Sequence, residues 1–313
     1  MADSKIAVVG ALAANVGIAI TKFVAAAFSG SSAMLAEGIH STVDTANSVL
    51  LLVGLRRSRL GPTAEHPFGH GKELYFWSLI VAVLIFGVGG GVSAYEGILR
   101  IARPTALESA AWSYAVLGVA AVFDGGSLAI AVRTFLRANP DQPFWTALGN
   151  SKDPATYTVI AEDSASLIGL AFAALGVFAS DALGLWVADG IASVMIGLLL
   201  AAVSVMLIRQ ARGLLVGEGI RGETARAIRA IATDDPRIVD VGPPLSMYIG
   251  PDEILLTFDV QFAARTEASE VAAAVRDVER RIRERFPKIR RIYIEAVNLG
   301  ATERATPQPE LAR

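Results

Sequence analysis

The chain contains no cysteine, which excludes disulfides, thiolate metal sites and cysteine nucleophiles. It has only three histidines, at 40, 66 and 70. A metalloprotease-type HExxH helix and a GxSxG-like nucleophile elbow are both missing. An intramembrane metalloenzyme using metal-activated water therefore finds little support in the sequence. Charge of one sign is lacking too: the formal net charge is −2, so no nucleic-acid partner is implied. Lysine is scarce, at five residues against 23 arginines, a compositional bias of GC-rich bacterial genomes. Met1–Lys5 is too short for the charged region of a cleavable signal. The apolar run from Ile6 to Phe28 is long enough to span rather than be removed, and the N-terminus is not an Arg-rich, acid-poor transit peptide.

What the chain has is apolar sequence, unevenly placed. Hydrophobic residues make up 53% of 313, with mean hydropathy +0.49. They dominate up to Ile208, whereas the part from Arg209 onward holds 17 Lys or Arg and 16 Asp or Glu. A bilayer core needs roughly 20 apolar residues per helix. Six runs qualify, at 6–28, 33–54, 74–98, 110–132, 155–179 and 185–208. Glycines 87, 89, 90 and 91 within the third suit close helix packing in lipid. The connections 55–73 and 133–154 carry Arg56, Arg57, Arg59, Lys72, Arg133, Arg137 and Lys152, and Arg209 and Arg212 follow the last run. The opposite loops carry Arg100 and Arg103. The positive-inside rule then places both termini in the cytoplasm, of a bacterial inner membrane if the compositional bias is followed. Phe144, Trp145 and Leu148 in 133–154 fit either an interfacial helix or an ordered loop.

The expected organisation is a transmembrane domain over 1–212, a cytoplasmic domain over 213–299 and a disordered tail over 300–313. The second domain reads as helix 223–233, strand 238–248, strand 253–262, helix 267–286 and strand 289–297. Ile254, Leu256, Phe258 and Val260 alternate with the period of a half-buried strand. Val271, Val275, Val278, Ile282 and Phe286 recur at helical spacing, with Glu267 and Glu270 suited to the first turn. The αββαβ order points to a ferredoxin-like α+β sandwich. The fold class is thus a six-helix polytopic membrane protein with a C-terminal α+β domain.

An ionisable group in hydrocarbon costs at least about 2.5–3.5 kcal/mol at mid-depth, so it faces a partner or a water-filled path. Run two contains Glu37, His40 and Asp44, and the i, i+4 spacing puts His40 and Asp44 on one helix face. Imidazole with carboxylate suits Zn²⁺ and similar first-row divalents better than Mg²⁺ or Ca²⁺. Run five contains Glu162 and Asp163, about 100° apart around a helix. Asp44-Thr45-Ala46-Asn47-Ser48-Val49 resembles Asp163-Ser164-Ala165-Ser166-Leu167-Ile168, which aligns Asp163 with Asp44 and Val159 with His40. Asp124 either hydrogen-bonds or stands beside the ions, and Asp189, at the outer end of its run, reads as structural. Between runs two and three, His66 and His70 either bind a second metal or cap and pack a loop–helix junction.

Two blocks carry a family resemblance: Gly30-Ser31-Ser32-Ala33-Met34-Leu35-Ala36-Glu37-Gly38-Ile39-His40-Ser41-Thr42-Val43-Asp44, and His66-Pro67-Phe68-Gly69-His70-Gly71-Lys72-Glu73. Together, with Asp189-Gly190-Ile191-Ala192-Ser193, they resemble the cation diffusion facilitator family. The resemblance implies a homodimer exchanging Zn²⁺ or a related divalent cation, as substrate, against protons, with no organic cofactor. It implies His40, Asp44 and Asp163 as metal ligands. Val159 occupies the position of the usual histidine of run five, leaving the fourth place to water, Glu162 or Asp124, with Glu162 preferred. Asn150-Ser151-Lys152-Asp153-Pro154-Ala155-Thr156 with Glu162-Asp163 resembles the branch that includes the mitochondrial zinc exporters of animals. His66 and His70 match loop positions that hold a second zinc in some members, although the usual preceding acid is Thr63 here. A dimeric metal sensor or scaffold without transport is the remaining rival reading.

Overall fold

The computed structural model describes residues 2–105, 110–140 and 142–297, with side chains from Asn15 onward apart from Asn150. The expected tail 300–313 lies outside the described residues. The chain divides into two compact units, one of residues 1–57 with 73–212 and the other of 58–72 with 213–313.

The first unit is helical. Helices α1 (Ala2–Ser29), α2 (Ser32–Ser58), α5 (Ala110–Ala138), α7 (Pro154–Ala182) and α8 (Val187–Val216) are each 27 residues or longer. The third run is a composite, with α3 (Glu73–Leu84) passing through a π-helical segment (Ile85–Val92) into α4 (Ser93–Ala102). The sequence pattern did not foresee that π segment. It contains the cluster Gly87, Gly89, Gly90 and Gly91, whose missing side chains leave the backbone free to widen its turn. Among the described residues, four helical runs, at 73–102, 110–138, 154–182 and 187–216, are long and apolar enough to cross a membrane by length and composition. The helix α2 carries buried Glu37 and His40, which lower its mean apolarity.

Large apolar side chains face outward along this unit, among them Phe28, Trp112, Val122, Ile130, Leu175 and Leu198. Such a surface needs lipid to cover it. Inside, helices approach through small residues, as expected where lipid removes the hydrophobic drive to associate. A Cβ on Gly97 would lie 2.7 Å from the Gly190 carbonyl oxygen, and one on Gly197 would lie 2.7 Å from the Ala94 amide nitrogen. Helices α4 and α8 therefore touch backbone to backbone. Gly30, with φ +65°, turns α1 into α2, and its amide bonds back to the Ala26 carbonyl. The connection 139–153 forms a short helix, α6 (Phe144–Asn150), beside a cluster of Phe135, Ala147 and Ile160. Pro154 then starts α7, with Asp153 accepting from the Ala155 amide and the Thr156 hydroxyl.

The second unit holds α9 (Gly222–Thr233), β1 (Ile238–Val241), β2 (Leu245–Gly250), β3 (Glu253–Phe262), α10 (Ala268–Arg285) and β4 (Ile289–Ala296). The strand expected over 238–248 is interrupted, because Pro243 and Pro244 lack the amide hydrogens a ladder requires. Its two pieces pair antiparallel with different stretches of β3, while β4 pairs parallel with β3. The ferredoxin-like αββαβ plan is otherwise as expected. Ile254, Leu256, Phe258 and Val260 are buried in a core with Ile228, Val278 and Ile282. Glu267 caps α10 through a reciprocal capping box with Glu270. The loop 58–72 belongs to this unit: Phe68 lies 5.2 Å from the Arg291 guanidinium, and Gly71 packs against the backbone of Ile249.

One carboxylate in this unit supports a pH prediction. Asp235 accepts from the backbone amide, Nε and Nη2 of Arg237, which holds its carboxyl below the usual carboxylate range. A depressed folded-state value means that its contribution is present above the unfolded value and is lost as pH falls through the lower, folded one. Asp235→Asn is expected to lower the melting temperature at pH 7, with the difference from the wild type closing below about pH 4. A constant difference down to pH 2 would deny the carboxylate this part.

Candidate metal site

The start of α2 is anchored from another helix. Asp189 of α8 accepts from the Ser32 amide at 2.7 Å, the Ser32 hydroxyl at 2.9 Å, the Ala33 amide at 3.4 Å and the Ser31 hydroxyl, with Arg100 Nε 3.7 Å away. It thus satisfies orphan amides at a helix N-terminus, where negative charge is favourable. Asp189 is a tether, and it fixes where the next turns of α2 lie.

Two turns further on, Glu37, His40 and Asp44 line one face of α2. His40 Nε2 lies 3.4 Å from Asp44 Oδ2, and the His40 side chain is 2% exposed. Among the described residues, neither ring nitrogen of His40 has a hydrogen-bond partner, and neither does Asp44 Oδ1 or Asp163 Oδ2. Buried polar atoms are ordinarily satisfied, so this concentration of unmet ones calls for an explanation. The charged groups acting on Asp44 are Glu162, Lys22, Asp124 and Asp163. Four helices therefore contribute to one electrostatic cluster: α1, α2, α5 and α7.

Glu162 is buried and accepts from Asn47 Nδ2 at 2.8 Å. Asp163 is half-buried on the neighbouring flank of α7, next to Ser127. Asp124 accepts from the Ser166 hydroxyl at 2.5 Å. The short internal similarity noted above now has a physical counterpart. Asn47 stands three residues after Asp44 and Ser166 three after Asp163, and each donates to an acid on another helix. Val159 lies one turn before Asp163 and offers no donor atom.

Among the described residues, no three His, Asp or Glu side chains converge closely enough to hold a metal ion as they stand. His40, Asp44, Glu162, Asp163 and Asp124 share a neighbourhood without forming a closed shell. His66 and His70 belong to the other unit, on the 58–72 loop, with rings tilted by 36° and centroids 4.5 Å apart. His70 Nδ1 is 3.1 Å from the Gly61 carbonyl oxygen, and the His66 amide donates to Thr63 Oγ1.

Sequence reasoning missed Lys22. It is fully buried on α1, 2.9 Å from Glu37 Oε2 and 2.8 Å from the Ser41 hydroxyl. It is the one basic residue within the first apolar run, a signal that was available. Asn47, Ser127 and Ser166 were missed as well, because polar uncharged residues in an apolar helix carry little signal without a partner in view.

Long helices that sink acids, a histidine and a lysine among apolar side chains, followed by a small αββαβ unit, define a polytopic α-helical membrane protein. Residues 8–216 match the Cation efflux transmembrane domain, and the chain belongs to this cation efflux, or cation diffusion facilitator, family. It is 32% identical over 247 residues to the human proton-coupled zinc antiporter SLC30A9, mitochondrial, covering 78% of this chain and 43% of that protein. It is 31% identical over 239 residues to metal tolerance protein C4 of Arabidopsis thaliana, covering 75% of this chain and 52% of the relative. Magnetosome protein MamB of Magnetospirillum gryphiswaldense is 25% identical over 300 residues, or 94% of each chain. The chain thus spans less than half the length of the SLC30A9 relatives it matches.

Proposed function

We propose that this protein is a transporter, not an enzyme, and that it exports a divalent metal cation, foremost Zn²⁺, from the cytoplasm in exchange for protons. The observation that carries this is the cluster of unpartnered buried donors on His40, Asp44 and Asp163, ringed by Glu162 and Asp124. Nitrogen and oxygen donors together suit zinc and its first-row neighbours. The human relative, a proton-coupled zinc antiporter by name, supports the same cargo.

In this reading metal enters from the cytoplasm and is bound by His40, Asp44 and Asp163, with Glu162 as fourth ligand. The open arrangement of these groups is suited to a site that assembles on the cation and loosens to release it. Imidazole and carboxylate must shed protons to bind metal, so metal and protons compete for the same groups. That competition couples the two flows without a separate proton path. The protein works as a homodimer in a bacterial inner membrane with both termini cytoplasmic, and His66 and His70 offer a second, cytoplasmic metal site.

Uptake into proteoliposomes under an imposed pH gradient, across Zn²⁺, Mn²⁺, Co²⁺ and Cd²⁺, tests the proposal. Gradient-driven zinc accumulation is the expected result, and its absence for every divalent would overturn it. His40 sets selectivity within the same experiment. His40→Asp makes the site all-oxygen and harder, so the zinc-to-manganese flux ratio is expected to fall by about tenfold or more. An unchanged ratio would make His40 a packing residue.

A further inference from the structure

The buried pair of Lys22 and Glu37 is not used by the mechanism above, and it lies beside the groups that are. Both side chains are 0% exposed, and Lys22 Nζ also donates to Ser41, the residue after His40. Removing two charges from water can cost more than their contact returns, so a fully buried pair is weak evidence for a purely stabilising role. Glu37 stands one turn before His40 on the ligand-bearing face of α2, and its Oε1 has no hydrogen-bond partner among the described residues. The charges acting on Lys22 are those of Glu37, Asp124 and Asp44. Lys22 therefore stands near acids of the candidate metal site while bonded to Glu37 and to the residue after His40.

We infer that Lys22 is a positioning residue, a fixed internal cation that holds Glu37 out of the ligand set and keeps metal affinity low enough for release. The inference rests on the metal-site reading above. Divalent cargo and ammonium repel one another through a medium of low dielectric, where a unit charge acts far more strongly than in water. A carboxylate freed at position 37 would act in the opposite direction, adding one more negative oxygen ligand beside His40. An exporter that must both bind and release gains from a charge that weakens the bound state.

The test measures Zn²⁺ affinity by calorimetry and zinc flux in proteoliposomes for Lys22→Met, Glu37→Gln and the double variant. Lys22→Met is expected to bind zinc about tenfold more tightly and to turn over more slowly, and Glu37→Gln to bind about tenfold more weakly. The double variant, neutral at both positions, returns close to wild-type affinity. If Lys22→Met alone does not fold, the effect of removing the lysine is read between Glu37→Gln and the double variant, where the same tightening is expected. Unchanged zinc affinity, with only a lower melting temperature, would reduce the pair to a structural contact and overturn the inference. Failure of the wild type to bind zinc, or binding that survives Asp44→Asn, would instead overturn the metal-site reading.

Discussion

Asp44→Ala is expected to abolish metal flux, by at least about 100-fold, while the protein stays folded. The fold should tolerate the change because Asp44 supports little of it. Among the described residues its Oδ1 has no hydrogen-bond partner, and its Oδ2 lies 3.4 Å from His40 Nε2. Its charged neighbours are the carboxylates Glu162, Asp124 and Asp163 and the ammonium of Lys22, so it is one member of a cluster rather than the anchor of a helix. Transport should not tolerate the change. Outer-shell substitutions alone typically cost 10–100-fold in metal affinity, and loss of a direct ligand costs more. Asp44→Asn keeps the shape and removes the charge, and should behave alike. Zinc flux, read together with the melting temperature and elution volume, decides the matter. Near-normal flux in a well-folded Asp44→Ala protein would remove the site from this part of the membrane domain.

The parts legible in the sequence are those governed by local periodicity. Runs of about 20 apolar residues marked the long helices, and the alternation from Ile254 to Val260 marked the central strand, whose buried face is the one expected. The i, i+4 relation of His40 and Asp44 needed no structure at all. What escaped is what depends on a second element. The π segment at Ile85–Val92 lies where a glycine cluster gives the backbone freedom, and glycine alone does not distinguish a π turn from close packing. The break at Pro243 and Pro244 was a local signal overridden by the apolar residues on either side. Lys22 was hidden for a different reason. Its meaning comes from Glu37 on the next helix, and in isolation a lysine in an apolar run looks like one that snorkels to the interface. Likewise, nothing in 58–72 announces that this loop packs with the C-terminal unit, as it does through Phe68 and Gly71.

Val159 leaves the candidate site one ligand short, and the replacement is testable by restoring what the position lacks. Among the described residues Glu162 accepts from Asn47 and Asp124 from Ser166, so either carboxylate gives up a neutral donor on turning to a metal. Glu162 and Asp124 both lie near Asp44. Glu162 also shares a helix turn with Asp163, so it needs no movement of α5 to join the shell, although its side chain must swing across about 100° of helix surface. Glu162 is therefore the expected fourth ligand. Glu162→Gln should weaken zinc binding by at least about tenfold and slow flux in parallel. Adding Val159→His should restore part of that affinity, because an imidazole one turn before Asp163 mirrors the His40–Asp44 spacing on α2. A second-site rescue of this kind cannot arise from a general loss of stability. Asp124→Asn should leave affinity within about threefold of the wild type, a change of under about 1 kcal/mol. If Glu162→Gln binds zinc normally while Asp124→Asn fails, the fourth ligand belongs to α5, and that helix must close on the site with each cycle.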